Sequence, residues 1–143
     1  MTVAAILERK GKSILSARAD ERVAEVVARL AEQRIGAMPV LDEVGRVSGI
    51  ISERDIIYGL AREGAALLAR SVGEVMTSPV VTVSPTTPLL SALAVMTNRR
   101  IRHLPVIEGE ALVGFISIGD LVKLRIDRIE AEAEAMRHYI AGN

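Results

Sequence analysis

The sequence predicts an α+β fold: two β-α-β-β-α repeats packed sheet to sheet as an intramolecular pseudo-dimer, with an extended C-terminal helix. Three observations predict it. One string of residues recurs at a fixed offset, short β-branched runs alternate with helical spacings inside each copy, and an apolar heptad pattern continues past the second copy. Ile35-Gly-Ala-Met-Pro39-Val40 aligns with Ile101-Arg-His-Leu-Pro105-Val106 at an offset of 66, and Gly49-Ile-Ile51-Ser52-Glu-Arg-Asp55 aligns with Gly114-Phe-Ile116-Ser117-Ile-Gly-Asp120 at 65. One residue has been lost between the blocks, where a turn tolerates it. Two copies of so long a period argue for a paired module, because a solenoid needs several stacked units.

In the first copy a strand is expected around 14–16, then a helix over 21–33 with Val23, Val26, Val27 and Leu30 inward. A hairpin turning at 42–46 follows, and a last helix from about Asp55 toward Gly64, a plausible C-cap. In the second copy Val80-Val81-Thr82-Val83 is a short β-branched run. Ser84-Pro85-Thr86-Thr87-Pro88 stops it and supplies capping hydroxyls. Leu89, Ala92, Leu93 and Met96 recur at helical spacing, 103–107 and 111–116 read as strands about a turn at 108–110, and a helix starts near Gly119. One unit of about 60 residues buries too little apolar surface to be comfortable alone, so two units sharing a core is the economical solution. The expected division is 1–70 for the first repeat, 71–125 for the second and 126–143 for the helical extension. In that extension Val122, Ile126, Ile129, Ala133, Met136 and Ile140 are spaced 4, 3, 4, 3 and 4, a heptad seam that either folds back on its own module or pairs with a second chain. Dimerisation is the natural expectation for a surplus apolar stripe.

Composition narrows the function. Half of the 143 residues are hydrophobic and 25% charged, which excludes disorder as the dominant state. Lys and Arg number 18, as do Asp and Glu, so no general field draws the chain to nucleic acid or anionic lipid, and any anion site must be local. The three aromatic residues, Tyr58, Phe115 and Tyr139, are too few for base-stacking platforms. No cysteine is present, which excludes a disulfide framework, thiolate metal sites and cysteine nucleophiles. No apolar run approaches the roughly 20 residues of a membrane span, and the opening residues do not read as an export signal, so a soluble cytoplasmic protein is expected. His103 and His138 join no Ser-His-Asp set, no cluster has metal-ligand spacing, and no phosphate-cradling glycine motif occurs, so catalysis is not expected.

The recurring Ser-x-x-Asp, Ser52 with Asp55 and Ser117 with Asp120, has two readings. At a strand-to-helix junction the hydroxyl satisfies an orphan amide and the acid complements the helix dipole, a purely structural role. The other reading rests on what is attached to it: a hydrophobic-Pro-Val strand, a turn and a glycine-led strand. With these strings, and with Val-Gly-Glu-Val-Met-Thr at 72–77 opening the second unit, the sequence over about 3–125 resembles a tandem pair of cystathionine-β-synthase (CBS) domains, a Bateman module.

The resemblance implies a free-standing regulatory or sensor module. An adenine nucleotide (AMP, ADP, ATP or NAD(H)) or another adenosine-containing ligand would bind in clefts between the repeats, and an unidentified client protein would read its occupancy. The residue types suit this: a carboxylate accepts from both hydroxyls of a ribose, apolar strand residues slot an adenine, and helix N-terminal amides and arginines take phosphates. Carried across residue by residue, the resemblance gives two composite sites. One uses Ser52, Arg54 and Asp55 with Val80, Val81 and Ile101; the other uses Ser117 and Asp120 with Leu15 and Ile35. Arg102 stands where relatives often place a basic residue toward ligand phosphates. Gly36 stands opposite Arg102 in the repeat, and Gly119 opposite Arg54, so the two clefts are expected to differ in phosphate binding. A ligand-free assembly module, with both Ser-x-x-Asp motifs acting only as caps, is the alternative.

Overall fold

The computed structural model describes residues 1–11 and 13–142. A short helix, α1 (Ala4–Lys10), opens the chain. The first half continues as β1 (Ala17–Arg18), α2 (Val23–Gln33), β2 (Ala37–Leu41), β3 (Val47–Ser52) and α3 (Glu53–Glu63), ending in a 3-10 turn over Gly64–Ala69. The second half runs α4 (Val72–Val75), α5 (Leu89–Arg99), β4 (His103–Glu108), β5 (Ala111–Ser117) and α6 (Ile118–Ala141). The first sheet has the order β1-β2-β3 with β1 parallel to β2; the second is the antiparallel pair β4-β5.

The duplication holds in detail. Both α2 and α5 span eleven residues and end on an arginine in the left-handed region, Arg34 at φ 53° and Arg100 at φ 55°. Both hairpins slip register at the same place, between Val40 and Leu41 and between Val106 and Ile107. The first strand of each repeat is displaced and reduced from the sequence expectation. Pairing falls on Ala17–Arg18 rather than 14–16, and of 80–83 only Val83 pairs, as a parallel bridge to Val106. Upstream of these pairings Ile14 and Leu15 line a cavity contributed by both halves, whereas Val81 packs against the second half's core, so their burial is met without a ladder.

The expected shared core is instead two cores joined by an exchange. One cluster is built on Val26, Met38, Val40 and Ile51, the other on Met96, Leu104, Val106 and Ile116. Val3 and Ile6, from the first segment of the chain, are buried in the second cluster; Val72, from the start of the second half, is buried in the first. Equivalent backbone bonds hold the two opening helices: Val3 and Ala4 donate to Thr87 and Pro85 carbonyls, and Val72 and Gly73 to those of Glu21 and Ala19. Leu7 of α1 presses on Gly114 of β5, and Met76, at the end of α4, presses on Gly49 of β3, where in each case a Cβ would collide with it. The halves also meet at their hairpins, through Arg46 and Glu110 at 2.6 Å.

The C-terminal helix buries Leu121 and Leu124 in the second core, and Asp127 takes an ion pair from Arg9 at 2.6 Å. Its heptad seam does not fold back on the module: Val122, Ile126, Ile129, Met136 and Ile140 are all exposed, from 46% to 68%. None of the helices among the described residues is long and apolar enough to cross a membrane.

Candidate functional site

Both Ser-x-x-Asp motifs fall at the junction of a returning strand and a helix, and both form complete capping boxes. At α3 the Asp55 amide donates to Ser52 Oγ (3.3 Å) while the Ser52 amide donates to Asp55 Oδ2 (2.9 Å). At α6 the Asp120 amide donates to Ser117 Oγ (3.2 Å) and the Ser117 amide to Asp120 Oδ2 (2.8 Å). The structural role read from the sequence is therefore present in full. Each carboxylate is also met by the exchanged opening segment, a feature sequence reasoning missed. Thr77 Oγ1 donates to Asp55 Oδ1 at 2.8 Å, and Lys10 Nζ donates to Asp120 Oδ2 at 2.9 Å and to the Phe115 carbonyl at 2.8 Å. No sequence pattern signals it, since a lysine and a threonine share none.

The second composite set comes together in one cavity of about 420 Å³ contributed by both halves. Leu15 and Ile35 line it from the first half, and Ser117 and Asp120 from the second. Lys10, Arg34, Gly36, His103 and Phe115, none of them placed in this site from sequence, complete its functional wall. His103 and Phe115 pair across the β4-β5 hairpin, their rings stacked at a centroid distance of 5.5 Å and an angle of 11°. Glu53 packs over Gly36, so a side chain there would collide with its carboxylate and meet His103 Cε1 at 3.4 Å. The carboxylate is the mobile end of an exposed side chain, so this contact alone does not exclude the repeat's arginine at 36; cations line the cavity at Lys10 and Arg34.

Burial works to raise the Asp120 pKa, but the Ser117 amide and Lys10 outweigh it and hold the carboxyl below its ordinary value. His103 is pushed below the ordinary imidazole range by burial first, then by the Lys10 and Arg102 charges, with Asp120 and Glu53 opposing. The cavity therefore offers an ionised carboxylate, a neutral imidazole and two cations around an apolar floor. That is the chemistry of a small polar molecule with a flat apolar part.

The first composite set is arranged differently. Ser52 and Asp55 are half-buried at the α3 N-terminus, and Val80, Val81 and Ile101 are half-buried, the last two against the second core. Arg54 is exposed and spends Nη1 on the Arg100 carbonyl at 2.7 Å, a bridge between halves. Arg102 is exposed and is not part of the wall of the 420 Å³ cavity, which its neighbour His103 lines. No group of three or more His, Asp or Glu able to hold a metal ion occurs among the described residues.

The family model for the CBS domain matches twice, over residues 6–62 and 72–127. The chain belongs to the CBS-domain family. Its tandem matches correspond to the two copies seen in the repeat and make it a CBS pair. The mitochondrial CBS domain-containing protein CBSX3 of Arabidopsis thaliana is 33% identical over 149 residues, covering 99% of this chain and 72% of that protein. The CBS-domain containing protein ATU1752 from Agrobacterium tumefaciens has a similar structure, with a TM-score of 0.83 at 40% identity, covering 87% of this chain and 92% of that one. The CBS domain pair of protein MJ0100, solved in complex with 5'-methylthioadenosine and S-adenosyl-L-methionine, has a TM-score of 0.79 at 26% identity, covering 90% of this chain and 98% of that one.

Proposed function

We propose that this CBS pair is a non-enzymatic sensor module that takes an adenosine-containing ligand in the cavity between its halves and, as a homodimer, passes occupancy to a client protein. The observation that carries this reading is the single cavity in which Leu15 and Ile35 of one half face Ser117 and Asp120 of the other. The adenosine ligands of the MJ0100 pair support the ligand class. A ribose hydroxyl donates to Asp120, Leu15 and Ile35 slot the adenine, and Lys10 with Arg34 meets a phosphate or another anionic tail. Because the site is built from both halves, a ligand that fits one relative arrangement better shifts the module toward it, and only such a difference can carry a signal. The set around Asp55 is the candidate second site, with Arg102 as its phosphate contact.

Isothermal titration with AMP, ADP, ATP, NADH, 5'-methylthioadenosine and S-adenosyl-L-methionine tests the reading. At least one should give a saturable heat that Asp120→Ala abolishes; no heat with any of them contradicts it. The two complete capping boxes favour a second reading, a ligand-free assembly module. In that case Asp55→Ala and Asp120→Ala each cost about 0.5–2 kcal/mol of stability and alter no binding curve.

A further inference from the structure

We propose that two copies of this chain join through their C-terminal helices as a parallel, in-register, two-stranded coiled coil. This rests on the homodimer reading above and specifies its surface and orientation. With Ile126, Ala133 and Ile140 at the a positions and Val122, Ile129 and Met136 at d, the seam runs 19 residues along α6. The residues by which α6 holds its own module, Leu121, Leu124 and Asp127, occupy c, f and b. That is the opposite side of the helix, so the module does not obstruct the seam.

Charge then selects the partner and its direction. The flanking e positions hold Lys123, Glu130 and Arg137, and the g positions include Arg125 and Glu132. In a parallel pair each g faces the following e of its neighbour. Arg125 then meets the partner subunit's Glu130, and Glu132 meets the partner subunit's Arg137, twice each by symmetry. In the antiparallel arrangement that matches all six seam layers, e faces e and g faces g. Lys123 then lies against Arg137, Glu130 against Glu130 and Glu132 against Glu132, all like charges. The pairs Arg128 to Glu132 and Arg137 to Glu134 within the helix are exposed, so little opposes re-pairing across the seam.

The chain has no cysteine, which makes a direct test available. Ile129→Cys, at an exposed d position, should give a disulfide-linked dimer in high yield under equilibrium thiol exchange, because in-register d residues face each other. Light scattering should show the parent protein at twice its 15.4 kDa mass. Ile126→Glu should raise the dimer dissociation constant about tenfold or more. Arg125→Glu should weaken the dimer, and adding Glu130→Arg should restore it. A monomeric parent overturns this proposal and the homodimer reading together, while leaving the ligand reading to its own titration. A dimer that forms no disulfide at 129, or that ignores Ile126→Glu, or a trimeric mass, overturns the coiled coil alone.

Discussion

At the scale of single residues, Asp120 carries two roles, and its substitutions separate them. It caps α6 through Ser117 and holds Lys10 of the exchanged helix. Asp120→Asn retains an acceptor for the Ser117 amide but removes the charge. It should therefore cost less stability than Asp120→Ala, whose lost cap is worth about 0.5–2 kcal/mol in denaturant melts. His103 gives a pH prediction. Its folded pKa lies below the unfolded one, so the unfolded chain takes the proton first and stability declines as pH falls below about 6.5. The group makes no difference well above that pH. Denaturant midpoints measured between pH 7.5 and 5.5 (roughly one unit either side) should show the decline, and His103→Gln should flatten it. The carboxylates and their serines were legible in the sequence because the motif is duplicated. Lys10, Arg34, His103 and Phe115 were not placed in the cavity, because which space a helix outside the aligned blocks, a left-handed helix end or a sheet face opens onto is settled only when the halves assemble.

At the scale of elements, the helices α2 and α5 and both hairpins lay in the sequence almost to the residue, since apolar spacing and turn residues fix them locally. The first strands did not, and neither did the exchange of α1 and α4, because both depend on which surface a short apolar segment meets after the halves assemble. The exchange has measurable consequences. Ile6→Ala removes buried volume from the second core although it lies in the first segment of the chain, and should cost about 2–5 kcal/mol. Native-state hydrogen exchange should show the loss of protection at β4 and β5 and not at β2. Gly49→Ala should be costlier than Gly114→Ala, about 1–3 kcal/mol in thermal or chemical melts. The new methyl at 49 meets the Thr77 backbone carbonyl at 2.9 Å as well as Met76, whereas at 114 it meets only the flexible end of Leu7.

At the scale of the whole molecule, a duplicated half does not produce two equal clefts. Glycine at 36, lysine at 10 and the engagement of Arg54 by the Arg100 carbonyl make the cavity at Asp120 and the surroundings of Asp55 chemically distinct. Under the proposed sensor function, asymmetry of this kind would let one ligand favour one relative packing of the halves. The most direct test is a backbone amide NMR titration with each adenosine compound. The account predicts that Ile35 of the first half and His103, Phe115, Ser117 and Asp120 of the second shift together on one saturable curve. Shifts confined to one half, or none at all up to millimolar ligand, would contradict a site made by both.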